Sequence, residues 1–388
     1  MMSRFNRSFV ILVLAALFAA CAGPAAAPTA TPVPPTASPG PPSATLISPA
    51  AAPTSPTEAV ASPMPAAAGK IETTEGEITS QALAGNLLGD PTTRTYSVLL
   101  PPSYATGDKR YPVVYVLHWY TGNNYAMIGS MRANYMTLLR EGKVQEMIFV
   151  FPDASNMLGG SQYLSSPTIG DYETYVTKEL VELVDATYRT IPNRNSRGVT
   201  GCSMGGDGSI YLALKYPGVF GVAAPASATY DWARDPVLWT EGPELLMKDP
   251  PEELSDFGMV PWQAQALLSV AAAAASNPDI PPFYLDMPIA LVDGKAEIVP
   301  EVFNRIVAAD PTHQVDRYLS QPERLRAILL FHGDGDQLAP VELARSFDRL
   351  LSDRGIEHEY VEVSGGHCDF FYEPIVQFMS DHLVDETP

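Results

Sequence analysis

Downstream of Ile71 the chain alternates short apolar runs with amphipathic stretches, and this alternation restricts its fold more than any other feature. The runs are "TYSVLL" (95–100), "PVVYVLH" (112–118), "MIFVFP" (147–152), "RGVTGC" (197–202), "VFGVAAPAS" (219–227), "AILLFHG" (327–333) and "EYVEV" (359–363). Several are apolar at nearly every position, as strands are when helices cover both faces of a parallel sheet. The stretches between them supply such helices. "DYETYVTKELVELVDATYR" (171–189) opens on Asp171 as a cap and sets Tyr175, Val176, Leu180, Leu183 and Val184 on one face. The expected fold class is α/β, a mostly parallel central sheet flanked by helices. With 388 residues, 46% of them hydrophobic, the chain can bury a core of that size.

Between Tyr230 and Gln321 the rhythm breaks. "PWQAQALLSVAAAAASNP" (261–278) reads as a helix entered at Pro261, and "PEVFNRIVAAD" (300–310) as a shorter one. We expect an inserted helical cap over about 231–321, within a domain spanning 70–388. Such an insertion either lines a substrate cleft or packs as an accessory subdomain.

The first 69 residues have another character. Arg4 and Arg7 precede "FVILVLAALFAA" (9–20), an apolar run too short to span a membrane, so residues 1–20 are expected to be a signal peptide. The end of that run, "LFAAC", resembles a bacterial lipobox and makes Cys21 the expected site of lipidation. Phe18 replaces the usual leucine there, which leaves ordinary cleavage and a freely secreted protein as the alternative. Residues 21–69 hold 13 of the 37 prolines, together with Ala, Thr and Ser, and read as a linker without a core. The protein is therefore expected to be exported, as a lipoprotein on the cell surface or in the periplasm. A net charge of −20 offers no surface for nucleic acid, and the only membrane contact expected is through the lipid.

Gly201-Cys202-Ser203-Met204-Gly205 lies between an expected strand and the expected helix "GSIYLALKYP" (208–217). Strand, sharp turn and helix around G-x-S-x-G make a nucleophile elbow, in which glycines let the turn tighten around an exposed serine. A serine hydroxyl needs a histidine to take its proton and a carboxylate to orient that histidine. In "LLFHGDGDQLAPVELARSF" (329–347), Asp334 and Asp336 compete for the acid. The spacing H-G-x-x-D-x-x-x-P resembles the acid loop of α/β-hydrolases and favours Asp336. "EYVEVSGGHCDFFYEP" (359–374) supplies His367 on a glycine-rich approach, completing the chain order Ser, Asp, His. Of the other histidines, His313, His358 and His382 read as solvated, and His118 and His332 as structural. Oxyanion stabilisation needs N–H donors, for which the backbones of Met204 and of Tyr120, in the loop after "PVVYVLH", are the candidates. No His or Cys spacing suits a metal, and no cofactor is expected.

"YSVLLPPSY", "YPVVYVLH", "IFVFPDASN", "GDYETYVTKELVELVDATYRT", "GCSMGG" followed by "LALKYPGVFG", and "GGHCDFFYEP" together resemble the esterase family of α/β-hydrolases that includes esterase D, bacterial feruloyl esterases and mycolyltransferases. The resemblance covers most of Thr95–Leu383 outside the insertion. It implies the α/β-hydrolase fold and carboxylester chemistry, with Ser203, Asp336 and His367 on the family's triad positions. Two positions depart from the pattern: Trp119 stands where a glycine usually follows the histidine, and Cys368 where an aspartate often does.

Cys202 and Cys368 directly flank the expected nucleophile and base. If Ser203 and His367 meet, their neighbours' α-carbons come within disulfide range. The pattern Cys-Ser, Asp, His-Cys also resembles tannases and related feruloyl esterases, where such a bridge ties the catalytic loops. Two reduced, buried cysteines are the alternative. Trp119 and Phe370 are candidate substrate contacts, with Tyr120, Phe371 and Tyr372 nearby, and these aromatics suit either an aromatic acyl group or a core. Three functions compete: a serine carboxylesterase acting on small or polysaccharide-linked esters such as feruloyl esters, an acyltransferase of mycolyltransferase type, and a non-catalytic binding lipoprotein.

Overall fold

A computed structural model describes residues 70–369 and 372–385. The expected signal peptide, Cys21, the linker to residue 69 and Phe370 lie outside the described residues. The chain begins with strands β1 (Glu72–Thr79), β2 (Thr93–Leu100) and β3 (Val113–Leu117), helix α1 (Ile128–Arg140) and strand β4 (Ile148–Pro152). The short strands β5 (Ser165–Ser166) and β6 (Gly170–Asp171) pair with each other before α2 (Tyr172–Thr174), which continues through a π-helical turn (Tyr175–Glu179) into α3 (Leu180–Thr187). Then come β7 (Arg197–Cys202), α4 (Met204–Lys215) and β8 (Val222–Ala226). The insertion holds α5 (Gly242–Lys248), α6 (Trp262–Ala274), β9 (Ile289–Val292), β10 (Lys295–Ile298), α7 (Pro300–Val307) and α8 (Pro311–Ser320). The chain closes with β11 (Ala327–Gly333), α9 (Val341–Asp353), β12 (Glu359–Val363) and α10 (Glu373–His382).

Eight strands form one sheet in the order β1-β2-β4-β3-β7-β8-β11-β12, parallel from β4 onward and antiparallel at β1 and β2. β3, β4, β7 and β8 are buried along their whole length. Their side chains still divide by the period of two: Val113, Tyr115 and Leu117 join a core shared with α3 and α4, while Val114 and Val116 join one shared with α1 and α10. Asp171 caps the long helix, its carboxylate accepting from the Thr174 N–H at 2.9 Å.

Two features differ from the sequence-based expectation. "ETTEGEIT" forms β1 although it carries almost no apolar residue, because β2 offers it a complete antiparallel ladder from Glu72↔Leu100 to Thr79↔Thr93. Its glutamates then blunt an exposed sheet edge. The insertion, expected to be helical, contains the β9–β10 hairpin. Asp293 and Gly294 take the positive φ values (52° and 77°) that a tight hairpin turn requires, and Asp-Gly is the residue pair that takes them most readily. The last inserted helix, α8, packs against α4 and so belongs to the helical layer flanking the sheet.

Candidate active site

Ser203 occupies the single residue between β7 and α4, at φ 59° and ψ −125°, a conformation that side chains resist. Two glycines allow it. A Cβ on Gly201 would collide with the Leu117 and Gly205 carbonyls, and one on Gly205 with the Leu117 carbonyl, because β3 runs directly beside the turn. The strained serine thus projects from the carboxyl end of the central strands.

His367 Nε2 lies 2.8 Å from Ser203 Oγ, and its Nδ1 lies 2.9 and 3.0 Å from the two Asp336 carboxylate oxygens. Asp336 also accepts from the N–H groups of Leu338 (3.0 Å) and Ala339 (2.9 Å). Burial alone would raise its pKa, but the bond and charge of His367, the Ala339 N–H and the Ser227 hydroxyl outweigh it and hold the carboxyl below its ordinary range. Asp334 is exposed and does different work: it accepts from the Gly365 N–H at 3.2 Å, while its own N–H donates to Val363 O at 2.8 Å. Asp334 therefore ties the acid loop to the histidine loop without touching the imidazole.

Cys202 and Cys368 are joined by a disulfide, with α-carbons 6.0 Å apart. Cys368 sits at φ 56°, and its N–H donates to Ser227 Oγ at 3.3 Å. The nucleophile turn and the histidine loop are thus linked covalently, and the histidine loop and the acid through one buried serine.

The Tyr120 N–H has no other acceptor among the described residues. Met204 holds the first position of α4, where a helix leaves its N–H groups free. Both residues line the space around Ser203. The loop is fixed by Tyr120 Oη donating to Leu158 O (3.0 Å) and the Thr121 N–H donating to Gly159 O (2.8 Å). Trp119 has no positive φ, so its backbone does not require glycine. His118 is buried with both nitrogens engaged, Nδ1 with Trp119 O at 2.8 Å and Nε2 accepting from the Ala154 N–H at 3.0 Å; burial lowers its pKa.

Two spaces meet at Ser203 and His367. The inner one, about 90 Å³, is walled by Trp232, Val237, Leu238 and Val270, with Gln162, Asp207, Thr229 and Asp235 as its polar groups. The outer cleft, about 430 Å³, is bounded by Trp119, Trp262 and Leu338.

Residues 91–373 match the family model described as "Putative esterase". The chain belongs to this esterase family. An esterase of Mycobacterium tuberculosis is 28% identical to it over 287 residues, 70% of this chain and 52% of that protein. The chain thus spans about half the length of the curated relatives it matches. Among solved structures, a ferulic acid esterase superposes with a TM-score of 0.55 at 17% identity, covering 81% of this chain and 100% of that one. A fluorophosphonate-binding serine hydrolase of Staphylococcus aureus gives 0.52 at 16% identity, covering 80% and 96%. Likeness at these identities concerns the fold, which is that of the α/β-hydrolases.

Three groups that its motifs do not name join the site of this esterase-family chain. Ser227 follows β8 in a run of small residues with no motif of its own. Asp207, one turn into α4, accepts from the N–H groups of Tyr230 (2.8 Å) and Thr229 (3.2 Å); burial pushes its pKa up to about 7. Asp235, in the insertion, accepts from the Val237 N–H at 2.7 Å, and burial pushes its pKa up to about 6. Asp207 could have been marked by its place in "GCSMGGDGS", whereas Asp235 reaches the site only through the folding of the insertion. Of the two readings left open for Tyr372, the core is the one the structure takes. One expectation is corrected: His358 is not solvated, its buried ring bonding Asp348 (3.0 Å) and Ile356 O (2.8 Å).

Proposed function

We propose that the protein is an exported serine carboxylesterase that works by two-step acyl transfer. The observation that carries this reading is the continuous relay from Asp336 through His367 to Ser203 at hydrogen-bond distances, opening onto a cleft. His367 takes the Ser203 proton as Oγ attacks the ester carbonyl, and Asp336 holds the Nδ1–H tautomer and stabilises the imidazolium. The Met204 and Tyr120 N–H groups receive the oxyanion. His367 then protonates the departing alcohol, and water enters by the same route to release the acid.

For the acyl group, the apolar walls and polar carboxyls of the inner space favour a flat, largely apolar chain with hydrogen-bond donors at its far end. A hydroxycinnamoyl ester of a polysaccharide has that character. Its bulky alcohol would occupy the outer cleft beside Trp119. The Cys202–Cys368 bridge supports an oxidising compartment and hence export.

The reading is tested with a panel of chromogenic acyl esters and feruloylated sugars, with and without an added alcohol acceptor. Hydrolysis that falls by several orders of magnitude in Ser203→Ala is expected. Product that is mostly transferred acyl would reassign the protein as an acyltransferase, and equal turnover by the variant would remove the mechanism.

A further inference from the structure

A second cavity, about 340 Å³ and broadly open to solvent, lies where α4, α8 and the β5 segment meet α6 and α7. It touches α4 at Tyr211 and Lys215, two to three turns beyond Ser203. The size suits a small molecule rather than a single ion.

Its lining runs against the charge of the whole chain, which has 24 basic and 44 acidic residues. Three cations, Lys215, Arg305 and Arg317, face one carboxylate, Glu173. That carboxylate is already neutralised: Lys215 Nζ lies 2.6 Å from it, and the hydroxyls of Tyr211 (3.0 Å) and Tyr216 (2.5 Å) donate to it. Arg305 pairs with Asp286, but Arg317 forms no ion pair among the described residues. Gln314 lines the cavity, and its side-chain amide, which makes no hydrogen bond among the described residues, opens into that space. The apolar part of the lining is chiefly alanine, with the Tyr211 ring beside Lys215.

We propose that this cavity is a second ligand site that takes a carboxylate-bearing sugar unit. The Arg317 guanidinium fork matches a carboxylate in planar, bidentate fashion, with Lys215 and Arg305 adding positive charge nearby. Gln314 and Ser165 supply partners for ring hydroxyls, and the alanines leave room for the ring. The proposal does not depend on the esterase reading, because none of these residues lines the Ser203 cleft.

The test is calorimetric titration of the intact chain with galacturonate, galactose and inorganic phosphate. Galacturonate should bind and galactose should bind at least about tenfold more weakly; Arg317→Ala should cost galacturonate at least about tenfold in affinity. Gln314→Leu should weaken it too, while Arg317→Ala leaves ester hydrolysis within about twofold of the native rate. Prior blocking of Ser203 with a sulfonyl fluoride should leave the titration unchanged. Equal binding of galactose, an unchanged affinity in Arg317→Ala, or loss of binding on blocking Ser203 would each overturn the proposal. Tighter binding of phosphate than of galacturonate would reduce the cavity to a plain anion site and remove the sugar.

Discussion

Asp334 and Asp336 are two residues apart and chemically identical, yet only Asp336 faces His367. Asp336→Asn keeps the side-chain shape but presents an amide to Nδ1 and favours the wrong tautomer, so kcat should fall by roughly three to four orders of magnitude. Asp334→Asn keeps an oxygen for the Gly365 N–H and should stay within about tenfold. Steady-state assays of both variants decide, and the reverse order would reassign the acid. Asp207 gives a pH prediction. Folded, it holds its proton up to about 7, whereas the unfolded chain releases it near the ordinary value of 3.8. Over that window the unfolded state binds fewer protons, so native stability falls as pH rises and levels off above 7. Asn at this position cannot titrate and loses one backbone bond, so Asp207→Asn should be less stable than the native protein at pH 4, with the deficit narrowing toward pH 8. Melting temperatures across that range test this, and a constant deficit would count against it.

At the scale of elements, the site depends on loops from the ends of β3, β7, β8, β11 and β12 being held in register. The parallel ladder brings the ends of β7, β8 and β11 side by side, through Cys202↔Ala226 and Phe331↔Ala226. The histidine loop is harder to hold, since it hangs from β12 at the sheet edge, and the disulfide ties it back toward the centre. The two cysteines are 166 residues apart, so in the chain-entropy model the link stabilises by about 5 kcal/mol before strain. Cys202→Ala/Cys368→Ala should therefore melt well below the native protein and lose kcat more than KM rises, because His367 is no longer held against Ser203. Unchanged melting and kinetics would show that the hydrogen bonds through Ser227 and Asp334 are sufficient.

For the molecule as a whole, the expected signal peptide and proline-rich linker would place the hydrolase domain outside the cell on a tether. Intact-mass analysis of the mature protein should find a diacylglyceryl group on Cys21, and an unmodified N-terminus elsewhere would make it a freely secreted protein. The sequence by itself determined what depends on local chemistry and pattern: the continuous apolar strands of a two-sided sheet, the Asp171 cap, the glycines around Ser203, and the glycine-led approach to His367. These were legible because the backbone's steric limits and the burial of a strand act over a few residues. Tertiary structure alone decided what depends on distant partners. β1 exists because β2 has an open edge, Ser227 matters because β8 lies beside β11, and Asp235 joins the site because the insertion folds back over it. Arg317 and Lys215 likewise share a cavity only because α8 packs on α4. Burial, pairing and charge at these positions come from residues tens to hundreds of places away, and no short stretch of sequence records them.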